Sequence, residues 1–179
     1  YHAGVLRRWP LMPIYVKEAF HRTFVDGLHD RENERTTELE WLRLLTRYRD
    51  ELISCGCGYQ YAYGVAERNT WEACPLCKTK NQGEYCVLQI GKNRIVLEPG
   101  KKLYSHHLDK YSSFYNEIVG EVIANKKNPA LWGLRVKIGG DILIKDANGN
   151  EKTVAAGGVI PIVTGLKIKF NETTIGEIR

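Results

Sequence analysis

The sequence predicts an α+β chain in several parts: an N-terminal helical pair, a small cysteine-rich ribbon and a C-terminal antiparallel β-sandwich. Three observations carry that reading. Apolar residues recur at helical spacing through about residue 54, four cysteines fall in two close pairs within 55–85, and the hydrophobic period becomes two from about residue 86. With 179 residues, 43% of them hydrophobic and 26% charged, the chain has the composition of an ordinary globular protein and enough length for a real core. Wholesale disorder and fibrous repeats are excluded.

Residues 1–54 are helical in pattern. Pro13 suits the first turn of a helix; Val16, Phe20 and Phe24 then recur every four residues on one face, and Gly27 is read as the stop. The polar run from His29 to Arg35 is a loop. A second helix opens at Thr37-Glu-Leu-Glu40, a capping box in which the Thr hydroxyl and the Glu carboxylate each satisfy a backbone N–H of the first turn. Trp41, Leu44, Leu45, Tyr48 and Leu52 follow as an amphipathic stripe. Two such helices make a thin core, so further partner surface is expected for them.

Residues 55–85 hold the strongest chemical signal, Cys55-x-Cys57 and, after sixteen intervening residues, Cys74-Pro-Leu-Cys77. A structural zinc takes four thiolates in a tetrahedron, and two short knuckles from opposite ends of a loop supply them. Gly56 and Gly58 let the first knuckle bend, and Pro75 stiffens the second. So few aliphatic residues cannot fold this stretch by burial alone; structural zinc supplies on the order of 10 kcal/mol. The competing chemistries are a redox pair and a catalytic zinc with an open position. The second cysteine pair favours the structural site, because thioredoxin-type chemistry needs one pair only. Cys86 is read as a buried strand residue and not as a fifth ligand.

From residue 86 onward, strand-like runs appear at 87–90, 94–97, 118–124, 134–138, 142–144, 159–163, 166–170 and 174–178, separated by Gly-, Asn- and Pro-containing turns. Many short strands at close spacing predict a β-sandwich or small barrel. Basic and acidic residues balance in 1–54 and again in 55–85, so the whole net charge of +5 lies in 86–179. No window approaches the roughly 20 apolar residues of a membrane span, and the start, Tyr1-His-Ala-Gly-Val-Leu-Arg-Arg, has no signal-peptide core. Close cysteine pairs without a secretion signal point to a reducing, cytoplasmic setting.

Other candidates have simpler explanations. His106-His107 is read as a polar loop or strand end, since neighbours in a strand face opposite ways. Asp146-Ala-Asn-Gly-Asn150 has its Gly at loop position 4 and Gly157 at position 12, which fits a hairpin turn and not a calcium loop. Lys101-Lys102 and Lys126-Lys127 are read as scattered surface lysines. Phosphate-binding, nucleophile-elbow and zinc-protease motifs are all absent from the sequence.

The order of parts nevertheless resembles a known arrangement. Pro10-Leu-Met-Pro-Ile-Tyr-Val-Lys-Glu-Ala-Phe20, then Phe24, then Arg35-Thr36-Thr37-x-x-Glu40-Trp41-Leu42 resembles the last helices of a protein-kinase C-terminal lobe. That resemblance implies that Arg35 braces the lobe through an ion pair and that Thr37 caps the helix, with Thr36 in place of the usual Pro. A kinase tail running into Cys-x-Cys and Cys-Pro-x-Cys and then a β-domain is similar to bacterial serine/threonine-kinase-like proteins of the tellurite-resistance-linked phosphorylation modules. The β-domain, through Glu98-Pro-Gly-Lys-Lys-Leu-Tyr104, Gly120-Glu-Val-Ile-Ala-Asn-Lys-Lys-Asn-Pro129, Trp132-Gly-Leu134 and Gly165-Leu-Lys-Ile-Lys-Phe170, resembles a divergent forkhead-associated (FHA) domain.

The resemblance implies three parts: 1–54 from the end of a kinase lobe, 55–85 a zinc ribbon bound through Cys55, Cys57, Cys74 and Cys77, and 86–179 an FHA-like sandwich. The kinase motifs (Gly-rich loop, Val-Ala-Ile-Lys strand, His-Arg-Asp and Asp-Phe-Gly) are missing from this sequence, so a non-catalytic role is expected, with any kinase core upstream of Tyr1. The expected partner is a protein, acidic or phosphorylated; no membrane partner is expected. A nucleic-acid ribbon is disfavoured because 55–85 is neutral before metal is counted. The alternative is a chain that completes an active kinase and positions its substrate.

Overall fold

The computed structural model describes residues 2–30, 32–63, 73–80, 85–109, 111–112 and 114–179. It is α+β, with a short helical part followed by several antiparallel sheets, and the chain divides into two compact units, Tyr1–Glu84 and Tyr85–Arg179. No helix among the described residues is long and apolar enough to cross a membrane.

In the first unit, α1 (Ala3–Arg8) leads into α2 (Ile14–His21), with Pro13 at the N-cap, its carbonyl accepting from Val16 N at 3.1 Å. The helix then widens into a π-helical turn at Arg22–Asp26, where the Thr23 hydroxyl donates back to the Ala19 carbonyl at 2.8 Å. Gly27 does not stop the helix. It sits in right-handed helical backbone and opens the short α3 (Gly27–His29). Its need is space, because a Cβ there would lie 2.9 Å from the Arg22 carbonyl oxygen and 3.1 Å from Arg35 Cα. The small residue lets the loop pack against the helix.

Helix α4 (Glu38–Asp50) starts at the predicted capping box: Glu40 N donates to Thr37 Oγ1 at 3.3 Å and Thr37 N to Glu40 Oε2 at 2.7 Å. The other carboxylate oxygen, Oε1, accepts from Arg22 Nη2 at 2.8 Å, so Glu40 also ties α4 to the π turn. Arg35, the bracing residue implied by the resemblance, is exposed and makes no ion pair with a described residue; the ion pair at the start of α4 is Arg22 with Glu40.

The helix ends at Asp50, and Leu52 belongs to a strand and not to the helical stripe. Strands β1 (Leu52–Ser54) and β2 (Gln60–Ala62) pair antiparallel with Ile53 opposite Tyr61, both buried. Between helix and hairpin lies Glu51, whose side chain is 0% exposed. Its carboxylate accepts from the Tyr15 hydroxyl at 2.5 Å and from Arg47 Nε at 3.1 Å, while the Arg47 guanidinium sits 3.8 Å over the Tyr15 ring. Burial, reinforced by the bond to Glu51, pushes the Tyr15 hydroxyl above its ordinary pKa.

The periodic apolar residues bury less than their spacing suggests. Val16 is buried, but Phe20 stands at the centre of a partly open aromatic cluster with Trp9, Phe24 and Trp41 at ring separations of 5.6, 5.7 and 5.1 Å. Phe24 is 58% exposed and Leu45 50%.

The second unit is antiparallel throughout. One sheet has six strands in the order β4 (Asn93–Val96), β3 (Val87–Ile90), β12 (Ile175–Ile178), β11 (Lys167–Lys169), β8 (Ile142–Lys145), β9 (Glu151–Val154). The other has four, in the order β10 (Val159–Pro161), β7 (Trp132–Val136), β6 (Ile118–Ala124), β5 (Lys102–Tyr104). Both sheets feed one core, with Leu88, Ile95, Ile142, Ile168 and Ile178 from the first and Leu103, Val122, Leu134 and Ile160 from the second. That arrangement is consistent with a β-sandwich. Two strands of this unit went unread in the sequence, β5 and β9. Both lie at sheet edges and bury one side chain each, Leu103 and Val154, too few to show a period of two.

Hydrogen bonds to Thr37 and Arg22 hold the Glu40 carboxyl down to about 2, from an ordinary 4.5. A carboxylate with a depressed folded pKa stabilises above the unfolded value, and that contribution is lost as pH falls toward the folded one. Acid titration of the helical unit followed by circular dichroism should therefore lose stability between pH 4.5 and about 2, and Glu40→Gln should flatten that limb.

Candidate metal centre

The two cysteine pairs are presented by two turns of matching design. In the first, Cys55 N donates to the Tyr59 carbonyl at 2.9 Å, continuing the β1–β2 ladder, and Gly58 N donates to the Cys55 carbonyl at 2.8 Å. In the second, an antiparallel bridge joins Ala73 to Lys80, Cys74 N donates to the Thr79 carbonyl at 2.9 Å, and Lys78 N to the Cys74 carbonyl at 2.9 Å. In each pair the residue directly after the second cysteine takes the left-handed conformation: Gly58 at φ 83° and Lys78 at φ 63°. Glycine does so without steric cost, whereas Lys78 is the one non-glycine with positive φ among the described residues. Gly56, expected to bend the first knuckle, has no positive φ.

These turns bring the four predicted residues together. Cys55 Sγ lies 3.6 Å from Cys77 Sγ, Cys57 Sγ lies 3.7 Å from Cys74 Sγ, and all four sulfurs fall within 4.8 Å of one another. A tetrahedral zinc with Zn–S bonds near 2.3 Å has S···S edges of about 3.8 Å. The donor set therefore fits four-coordinate zinc in both chemistry and spacing. Cys74 is fully buried, Cys55 half-buried, and Cys57 and Cys77 exposed.

The sulfurs do not titrate alike. The Thr79 hydroxyl, 3.2 Å from Cys77 Sγ, and the Thr79 backbone N–H draw the Cys77 thiol down to about 6. Cys55 goes up to about 12: a backbone N–H of Cys57 favours its thiolate, but desolvation and the neighbouring sulfurs of Cys77, Cys57 and Cys74 outweigh it. Four thiols this close cannot all ionise without a cation among them, and a divalent ion removes that obstacle.

The remaining candidates lie in the second unit. Cys86 precedes β3, is half-buried and places its sulfur 3.9 Å from Thr164 Oγ1, so it is neither in a strand nor fully buried. His106 and His107 lie on a single helical turn, α5 (Ser105–Leu108), with their rings 4.1 Å apart. His107 is buried and its Nδ1 accepts from Tyr104 N at 3.0 Å, while His106 stacks on Tyr104 and Tyr115. Asp146 closes the predicted β8–β9 hairpin by accepting from the backbone N–H groups of Asn148 and Asn150 at 2.9 and 2.8 Å.

On the second unit, sequence reasoning passed over one cluster. On the four-stranded sheet Glu121 pairs in register with Lys102 and Arg135 and bonds Lys137 Nζ at 3.1 Å. Lys137 first, then Lys102 and Arg135, hold its carboxyl below the ordinary range. The signal was invisible because the cluster draws on β5, β6, β7 and the residue just after β7, which come together only in the fold.

No family model, curated protein or solved structure matches the chain.

The first knuckle should be the more sensitive to side-chain bulk. Gly58→Ala places a Cβ at φ 83° and should cost about 1 kcal/mol of metal-bound stability, whereas Lys78→Gly should be neutral or stabilising, both read by thermal denaturation with zinc present.

Proposed function

We propose that the chain is the non-catalytic zinc-binding and docking region of a bacterial kinase-like signalling protein. Cys55, Cys57, Cys74 and Cys77 hold a structural zinc in a small ribbon, and the FHA-like domain of residues 86–179 docks an acidic or phosphorylated protein partner in the cytoplasm. The zinc part rests on the four sulfurs within 4.8 Å. The docking part rests above all on charge. The entire +5 excess lies in 86–179, and on the four-stranded sheet three cations, Lys102, Arg135 and Lys137, surround one carboxylate, Glu121. Such a face attracts anionic surfaces and raises encounter rates with them. The two antiparallel sheets over one core support the FHA-like part of the reading.

A second reading has one observation in its favour. Exposed Phe24, Leu28, Leu42 and Leu45 leave the helices with apolar surface that a catalytic lobe would cover, as expected if they complete an active kinase and position its substrate.

Titration of the full chain with phosphothreonine peptides, followed by isothermal calorimetry, separates the two. Docking predicts saturable binding tighter than about 1 mM that weakens with added salt and with Arg135→Glu. No binding at that concentration contradicts the phosphopeptide-docking reading, and the kinase-completing reading predicts that result.

A further inference from the structure

We infer, resting on the reading that the four cysteines hold zinc, that the centre is labile to peroxide and that oxidation joins its sulfurs across the two knuckles. The products are the Cys55–Cys77 and Cys57–Cys74 disulfides, with release of the metal.

Accessibility and spacing carry this. A fully buried tetrathiolate resists oxidants, but here Cys57 and Cys77 are exposed and only Cys74 is completely buried. Each knuckle thus offers solvent one sulfur, at its second cysteine. The two close sulfur approaches, Cys55 to Cys77 at 3.6 Å and Cys57 to Cys74 at 3.7 Å, each pair an exposed sulfur with a less exposed one on the other turn. The resolving partner of each exposed sulfur is therefore already in place. A bond between Cys55 and Cys57 would instead close a ring around the single residue Gly56, which departs from unstrained disulfide geometry.

Hydrogen peroxide is the oxidant. The Cys77 sulfur attacks one peroxide oxygen, an S–O bond forms, the O–O bond breaks and hydroxide leaves. The Cys55 thiolate then attacks the Cys77 sulfur, the S–S bond forms, the S–O bond breaks and a second hydroxide leaves. Each sulfur gives up one electron, the peroxide takes both, and two protons from solvent convert the hydroxides to water. With two of four thiolates consumed, Zn²⁺ leaves. Cys57 and Cys74 repeat the sequence with a second peroxide. A centre with a formal charge of roughly −2 becomes two neutral disulfides, while the two turns stay tied.

The test uses the full chain, its zinc content first fixed by elemental analysis. Hydrogen peroxide is added in small molar excess beside a chromogenic zinc chelator, and the protein is then alkylated, digested and mapped by mass spectrometry. Release of roughly one zinc per chain, the two cross-knuckle disulfides and recovery of bound zinc after thiol reductant support the inference. Zinc retained under conditions that oxidise a free-cysteine peptide overturns it. So do disulfides within a knuckle, disulfides that draw in Cys86, or direct progress to sulfinic acid. A chain that never holds zinc refutes the metal reading itself, a separate failure seen before any peroxide is added.

Discussion

The crowding of four cysteine sulfurs within 4.8 Å of one another is the constraint around which the first unit's two cysteine turns are arranged. Backbone hydrogen bonds on both turns place the cysteines, yet the placement favours ionisation at Cys77 and opposes it at Cys55. A divalent cation at the centre of the tetrahedron turns that conflict into four favourable bonds. Among the described residues little else holds the stretch: Leu76 between the second pair is 64% exposed, and the buried apolar residues beside the cysteines are few. If the proposed zinc is bound there, metal binding and local folding would be one event, as in other small thiolate-bound folds.

The helices next to these turns are held by charge as much as by apolar packing. Glu51 is completely buried and is satisfied by Tyr15 and Arg47, so the first unit has a polar lock where a larger domain has leucines. Such a lock specifies one arrangement, because loss of either partner strands a buried carboxylate. Glu40 does similar work at the surface, capping α4 and holding Arg22 of the π turn. Several apolar residues of the helices, Phe24, Leu28, Leu42 and Leu45 among them, remain exposed. The second unit is held chiefly by two sheets that bury a continuous aliphatic core.

Legibility in the sequence followed the range of the interaction behind each feature. The capping box and the four cysteines were readable because their logic is local, a matter of spacing over a few residues. Central strands such as β8 and β12 were readable because burial of one face writes a period of two. Edge strands β5 and β9 were not, since a strand with one buried residue has no period. Gly27 was misread because its reason lies in Arg35, across a loop, and Phe20 and Phe24 because periodicity reports an apolar face without saying what covers it. The left-handed Lys78 and the cations around Glu121 have no sequence signature at all.

X-ray absorption at the zinc edge of the purified, metal-loaded chain tests the central claim most directly. The account predicts four sulfur scatterers at about 2.3 Å with no nitrogen or oxygen in the first coordination sphere. A shell containing fewer than four sulfurs, or completed by histidine nitrogen or water, would contradict it.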